Sequence, residues 1–157
     1  MGNLKSGRED RALDLNEELY KSFSSNDKGA GDMAAYPAYF GGSYTSSRDG
    51  LVVLIKDMDK KGVADIHQRI GSPLELYFKS CAHSLNELNA CKEKLDKIYF
   101  GNPALRKKLH WLSTGMSIEK NRVVVFLANL SAKNLTAFKH QVSDSPMLIF
   151  EEMMVEE

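Results

Sequence analysis

An excess of charge of either sign is missing from this chain: 21 lysines and arginines stand against 21 aspartates and glutamates in 157 residues. The electrostatic attraction that supplies most non-specific nucleic-acid affinity is therefore weak, and nucleic acid is not expected as a partner. Cysteine is scarce as well. Cys81 and Cys91 are the two thiols, the second inside a helical pattern, and together they imply no disulfide framework. No apolar run approaches the ~20 residues needed to cross a bilayer, so no membrane span is expected. Residues 1–11 are polar and lack the apolar stretch of a secretory signal. Read as complete, the chain is expected in the cytoplasm; read as processed, it is expected outside the cell. The remaining composition, 43% apolar and 27% charged, is that of a globular protein able to bury roughly 70% of its unfolded surface.

Along the chain, Leu15, Leu19 and Phe23 recur every four residues and predict a short helix with one apolar stripe. Ser24 to Ala35 is rich in Ser, Gly, Asp and Asn and reads as a flexible tether. Residues 1–35 are accordingly expected to form a helix plus linker, and residues 36–157 the main domain. Gly41 and Gly42 suit a bulge. Ser43 to Ser46 is expected to pair with Leu51 to Ile55 across Asp49-Gly50, a dipeptide that tolerates the positive φ of a hairpin turn. Val63, Ile66 and Ile70 then keep helical spacing up to Gly71, and Leu74 to Phe78 reads as a third strand.

A shift of 72 positions brings the same signals back. Leu51, Val53 and Ile55 fall on Val123, Val125 and Leu127, while Val63, Ile66 and Ile70 fall on Leu135, Phe138 and Val142. Asn121 takes the place of Asp49, and Ser72-Pro73 matches Ser145-Pro146 with one residue inserted. Met147 to Phe150 then answers Leu74 to Tyr77. Internal duplication accounts for this order. Between the copies, Ser84 and Glu87 form a capping box before Leu88, Cys91, Leu95 and Ile98, the longest helical stripe, which Gly101-Asn102-Pro103 ends. The fold expected is α+β: two diverged ββαβ repeats joined by a long helix, with largely antiparallel sheets and helices on one face.

No catalytic, cofactor or metal constellation emerges. Cys81 and His83 share a strand end without a third orienting group, so an enzyme built on them is only a distant alternative. Asp57-Met58-Asp59 with Gly62 has the opening of a calcium loop, but Lys61 and Gln68 stand where further oxygen ligands belong. His67, His83, His110 and His140 are scattered and read as solvated. Arg106-Lys107-Lys108 reads as a solvated face.

The run Phe40-Gly41-Gly42-Ser43-Tyr44, then Gly50-Leu51-Val52-Val53, Ser84-Leu85 with Leu88 and Leu95-Asp96, and Asn121-Arg122-Val123-Val124-Val125 resembles the prosegments of the alpha-lytic protease and streptogrisin group. The resemblance runs from about Phe40 to Glu151. Ser113 to Met116 departs from it, replacing the group's aromatic-rich strand. The resemblance implies a non-enzymatic folding chaperone or inhibitor of a trypsin-like serine protease, whose sheet pairs with a protease hairpin and whose tail occupies the active-site cleft. Carried over by position, it implies a partner surface of Asn121, Val123, Val125, Leu127, Met147, Ile149, Glu151, Met153 and Met154. The competing expectation is a stand-alone interaction or small-ligand module with the same fold, any cleft lying between the repeats.

Overall fold

The computed structural model describes residues 7–24 and 36–154, so the segment read as a tether, Ser24 to Ala35, lies outside the described residues except for Ser24, which ends a helix, and the end of the acidic tail, 155–157, lies outside them too. Five helices and two three-stranded sheets make the protein α+β. The chain divides into two units, 1–86 and 87–157.

In the first unit, α1 (Gly7–Ser24) is followed by β1 (Phe40–Ser46), β2 (Gly50–Lys56), α2 (Lys60–Ile70) and β3 (Leu76–Cys81). Ala12, Leu15, Leu19 and Phe23 are buried along one stripe of α1, which packs on β1, β2 and α2. Phe23 meets Phe40 at 4.8 Å between ring centroids and Tyr20 and Tyr36 at 6.2 and 5.9 Å, a cluster that fastens α1 to the start of the sheet. The β1–β2 hairpin pairs Ser43 with Val53 and Ser46 with Gly50, as the Asp49-Gly50 turn requires. Gly50 has φ +82, and a Cβ there would lie 2.3 Å from the Glu75 carbonyl oxygen, so no other residue fits. The register shifts between Phe40 and Gly42, placing the bulge at Gly41. A further tie runs through Tyr39, whose hydroxyl donates to Asp65; Arg69 Nε reaches the same carboxylate at 3.0 Å, and its Nη1 donates to the Ser22 carbonyl at 3.1 Å.

The second unit comprises α3 (Leu85–Gly101), α4 (Pro103–Lys108), β4 (Trp111–Ser117), β5 (Arg122–Leu127), α5 (Ala132–Gln141) and β6 (Leu148–Glu152). Asn102 caps α4 by accepting the Leu105 N–H at 3.1 Å, with Pro103 just inside the helix where its missing donor costs nothing. Ser131 caps α5 by accepting the Asn134 N–H. Leu88 and Leu95 of α3, Trp111 of β4, Val123, Val125 and Leu127 of β5, and Phe138 of α5 form one buried core. Trp111, Phe138 and Phe150 stack edge-to-face through it at 5.0 and 5.3 Å.

The duplication is visible bond by bond. Leu51 N–H donates to Glu75 O at 2.7 Å and Val123 N–H to Met147 O at 2.8 Å. Lys56 N–H donates to Tyr39 O and Ala128 N–H to His110 O, both at 2.8 Å. Ser46 Oγ accepts the Asp49 N–H and Ser117 Oγ the Lys120 N–H. The second sheet carries its bulge where the first does, between Trp111 and Ser113. The helix that reads as a connector is also structural within its own unit: α3 lines the second core as α1 lines the first sheet, so the repeated unit has a leading helix in addition to ββαβ.

Two details differ from expectation. Each sheet is mixed, because its third strand runs parallel to the second: β2 pairs with β3 and β5 with β6 in parallel register. A helix inserted between two strands carries the chain back to the end where the first strand began, which makes the next strand parallel. The third strands also start later than the apolar residues suggest. Leu74 is 95% exposed, and the chain turns before the strand, with Leu76 N–H donating to Pro73 O and Leu148 N–H to Ser145 O, each at 3.2 Å. Pro73 thus corresponds to Ser145, one residue away from the Ser-Pro match, and Leu76 corresponds to Leu148.

Candidate partner interface

The nine positions carried over from the prosegment resemblance separate into two groups. Sheet order in the second unit is β4-β5-β6, so β5 is central and paired along both edges. Val123, Val125 and Leu127 are fully buried in the core; their side chains hold the unit together and cannot also face a partner. Asn121 is 5% exposed, with φ +58, in the β4–β5 turn. Asparagine tolerates that left-handed conformation better than most residues. Along 121–127 the buried side chains of Val123, Val125 and Leu127 are thus taken up by the core of their own unit.

Met147, Ile149, Glu151, Met153 and Met154 lie along the other strand. β6 pairs only with β5 among the described residues. The phase of this ladder is set at its two ends, where Met147 O accepts from Val123 N–H and Met153 N–H donates to Leu127 O at 2.9 Å. In a parallel ladder only alternate residues bond to a given neighbour. Residues 147, 149, 151 and 153 therefore direct their peptide groups at β5. Phe150 and Glu152 point both N–H and C=O to the open side, and Leu148 its C=O.

Side chains alternate by the same period. Leu148 and Phe150 face the core, and Lys139 Nζ lies 5.8 Å over the Phe150 ring. Ile149 and Glu151 take the other face, where Glu151 meets Lys120 at 3.3 Å in a mostly solvated ion pair worth little to stability. Beyond them Glu152 is exposed, Met153 is 38% and Met154 85% exposed. The strand thus runs into an exposed acidic and methionine-bearing end. Met147 lines a cavity of about 360 Å³ with Cys91, Leu95, Ile98 and Val142. Burial pushes the Cys91 thiol up, against smaller opposing effects of Lys94 and Ser145, which keeps it in the poorly nucleophilic protonated form.

The other singled-out residues take up local roles. Cys81 Sγ donates to the backbone carbonyl of His83 at 3.4 Å, a turn contact to an oxygen that cannot act as a base for the thiol. His67 serves the end of α2 through hydrogen bonds at the surface: its Nδ1 lies 3.0 Å from Gly71 O and 2.9 Å from Ser72 Oγ, with its ring against Phe78. Asp57 and Asp59 are exposed, and no group of three or more His, Cys, Asp or Glu able to hold a metal occurs among the described residues. No helix among them is long and apolar enough to cross a membrane.

Among curated proteins none matches the chain. Family models do: residues 3–81 match the Pro-like N-terminal domain and residues 86–153 the Pro-like C-terminal domain, and the junction between them falls at the boundary of the two structural units. With its duplicated α+β units matched almost end to end, the chain belongs to the family of Pro-like N-terminal and C-terminal domains and is a propeptide-like module.

Proposed function

We propose that this propeptide-like module binds a trypsin-like serine protease, acting as its folding chaperone, its inhibitor, or both. The observation that supports this reading is the edge of β6, unpaired among the described residues, which runs without interruption into exposed residues 152–154. An unpaired edge accepts a strand from a partner through main-chain hydrogen bonds, and an extended continuation fills a groove beside it. A protease hairpin added to Phe150 and Glu152 would place Met153 and Met154 at the start of the cleft-filling segment. Chaperoning follows from the same contact: a ligand that binds only the folded protease stabilises it by mass action, and strand addition to a partly formed hairpin helps it form. No residue of the chain need do chemistry.

The test is refolding of denatured trypsin-like proteases with and without the purified chain, together with steady-state inhibition of the native enzymes. Recovered activity or inhibition at micromolar concentration is expected for at least one protease. A panel in which neither folding yield nor activity responds would overturn the proposal. The cavity beside Met147, about 360 Å³ and lined mainly by apolar side chains, favours a second reading as a small-ligand module. Saturable shifts of Cys91 and Ile98 signals with apolar fragments, in a chain that ignores proteases, would support that reading instead.

A further inference from the structure

The basic residues of α4 do not stand alone once the second unit is folded. Two cavities of about 310 and 480 Å³ adjoin at His110. Lys108, His110 and Lys133 line the first; Arg106, Lys107 and His110 line the second. Among the described residues neither lining contains an aspartate or glutamate, although the chain holds as many acids as bases. Arg106 is committed internally: its guanidinium lies 4.6 Å over the Tyr99 ring and donates to the Tyr99 carbonyl at 2.9 Å. Lys107, Lys108 and Lys133 are exposed and have no carboxylate within ion-pair distance among the described residues. Grouped like charges repel, so the fold itself gains nothing from gathering them.

The fold holds this grouping in place firmly. His110 sits at φ +56, fixed from both sides by its N–H to Lys107 O at 3.1 Å and by Ala128 N–H to its own carbonyl. Buried Asn134 donates through Nδ2 to Leu109 O and Asn129 O, each at 2.8 Å, tying the α4 end to the start of α5. Beside Arg106 and Lys107, the second cavity is also lined by the apolar side chains of Pro103, Leu112 and Ala128.

We propose that this furrow binds an acidic segment of a partner polypeptide, its carboxylates meeting Lys107, Lys108 and Lys133 and an intervening apolar side chain resting on Pro103, Leu112 and Ala128. Adjacent helix positions are turned about 100° from each other, and Lys107 lines one cavity while Lys108 lines the other. A single oxyanion meets only one of these groups, whereas an extended peptide with spaced carboxylates meets all of them. The inference does not depend on the partner being a protease.

The test is fluorescence anisotropy with a labelled peptide of alternating glutamate and leucine, combined with amide chemical-shift mapping of the full chain. The expected result is saturable binding that weakens with added salt, with shifts confined to residues 103–112 and 128–134. The double variant Lys107→Glu/Lys108→Glu should bind roughly tenfold more weakly and Lys133→Glu a few fold more weakly. Lys107→Gln/Lys108→Gln, which removes charge without reversing it, should lie between. The proposal is overturned if the acidic peptide does not bind, if a lysine–leucine peptide binds equally, or if shifts fall elsewhere. It is also overturned if the variants bind as tightly as the parent. Displacement by equimolar inorganic phosphate would assign the furrow to a small anion, and tighter binding of a single-stranded oligonucleotide would assign it to nucleic acid; either outcome rejects the acidic peptide.

Discussion

Two neighbouring proline substitutions in β6 separate the inner edge of that strand from its open edge. The Glu151 N–H points at β5, where its acceptor in the parallel register is the carbonyl of Val125, a residue with no exposed surface. Glu151→Pro deletes that bond and strands a buried acceptor, at a cost of about 1–3 kcal/mol, and the ring crowds the central strand. The chain can limit the damage by letting residues 151–154 peel away. That also forfeits the two bonds of Leu127, from its N–H to Glu151 O and from Met153 N–H to its carbonyl, so the loss settles at about 3 kcal/mol. The ion pair to Lys120, 43% and 62% exposed on its two sides, adds at most a few tenths. The Glu152 N–H points outward, so Glu152→Pro removes no ladder bond and costs about 1 kcal/mol or less, chiefly from drawing φ toward −65°. Urea unfolding of both variants measures the difference. Under the proposed function the order inverts for binding: Glu152→Pro blocks strand addition while leaving the fold intact. Equal destabilisation by the two prolines, or a larger effect at 152, would refute the assigned ladder phase and with it the open edge.

Other perturbations test the packing that supports this edge. Gly62→Ala would ordinarily stabilise a helix by ~1 kcal/mol. Here the new Cβ falls 2.6 Å from Tyr39 Cγ and 3.0 Å from its Cβ, atoms too near the backbone to swing aside, so a net loss of about 1–2 kcal/mol is expected in denaturant unfolding; a gain would contradict it. Burial alone would raise the Asp65 pKa, but hydrogen bonds from Tyr39 and Arg69 and the Arg69 charge outweigh it and hold the carboxyl below its ordinary 3.8. A lowered folded value means that its contribution is complete above the unfolded pKa and is lost as pH falls through the folded one. Asp65→Asn should therefore lose less stability than the parent on acidification below about pH 4, and parallel acid profiles would show that the carboxylate contributes nothing. Phe138→Ala empties a fully buried site between Trp111 and Phe150 and should cost about 4 kcal/mol, with faster hydrogen exchange in β6. Unchanged β6 protection would mean that Phe138 does not brace that strand.

The elements formed by neighbouring residues were legible without coordinates. Asp49-Gly50 specifies its own turn, the stripe from Leu88 to Ile98 specifies one helix face, and the recurrence of Leu51, Val53 and Ile55 as Val123, Val125 and Leu127 marks the duplication. All three depend on local chemistry or periodicity. Strand order does not. Whether β5 or β6 lies at an edge is decided by where the α5 crossover returns the chain, and that depends on Phe138 packing against Trp111 and Phe150, residues distant from one another along the chain. A sequence signal was present: residues 123–127 are continuously apolar, the pattern of a strand covered on both faces, whereas 148–152 ends in two glutamates. Likewise Arg106-Lys107-Lys108 reads as an ordinary solvated run, because Lys133 lies some two dozen positions further on and is brought to it by the bonds of Asn134 to Leu109 and Asn129 and of Ala128 to His110. The sequence by itself determined the elements, the repeat and the propeptide-like family. Only tertiary packing decided which peptide groups and which lysines were left facing outward, because exposure is a property of neighbours that the chain brings together from a distance.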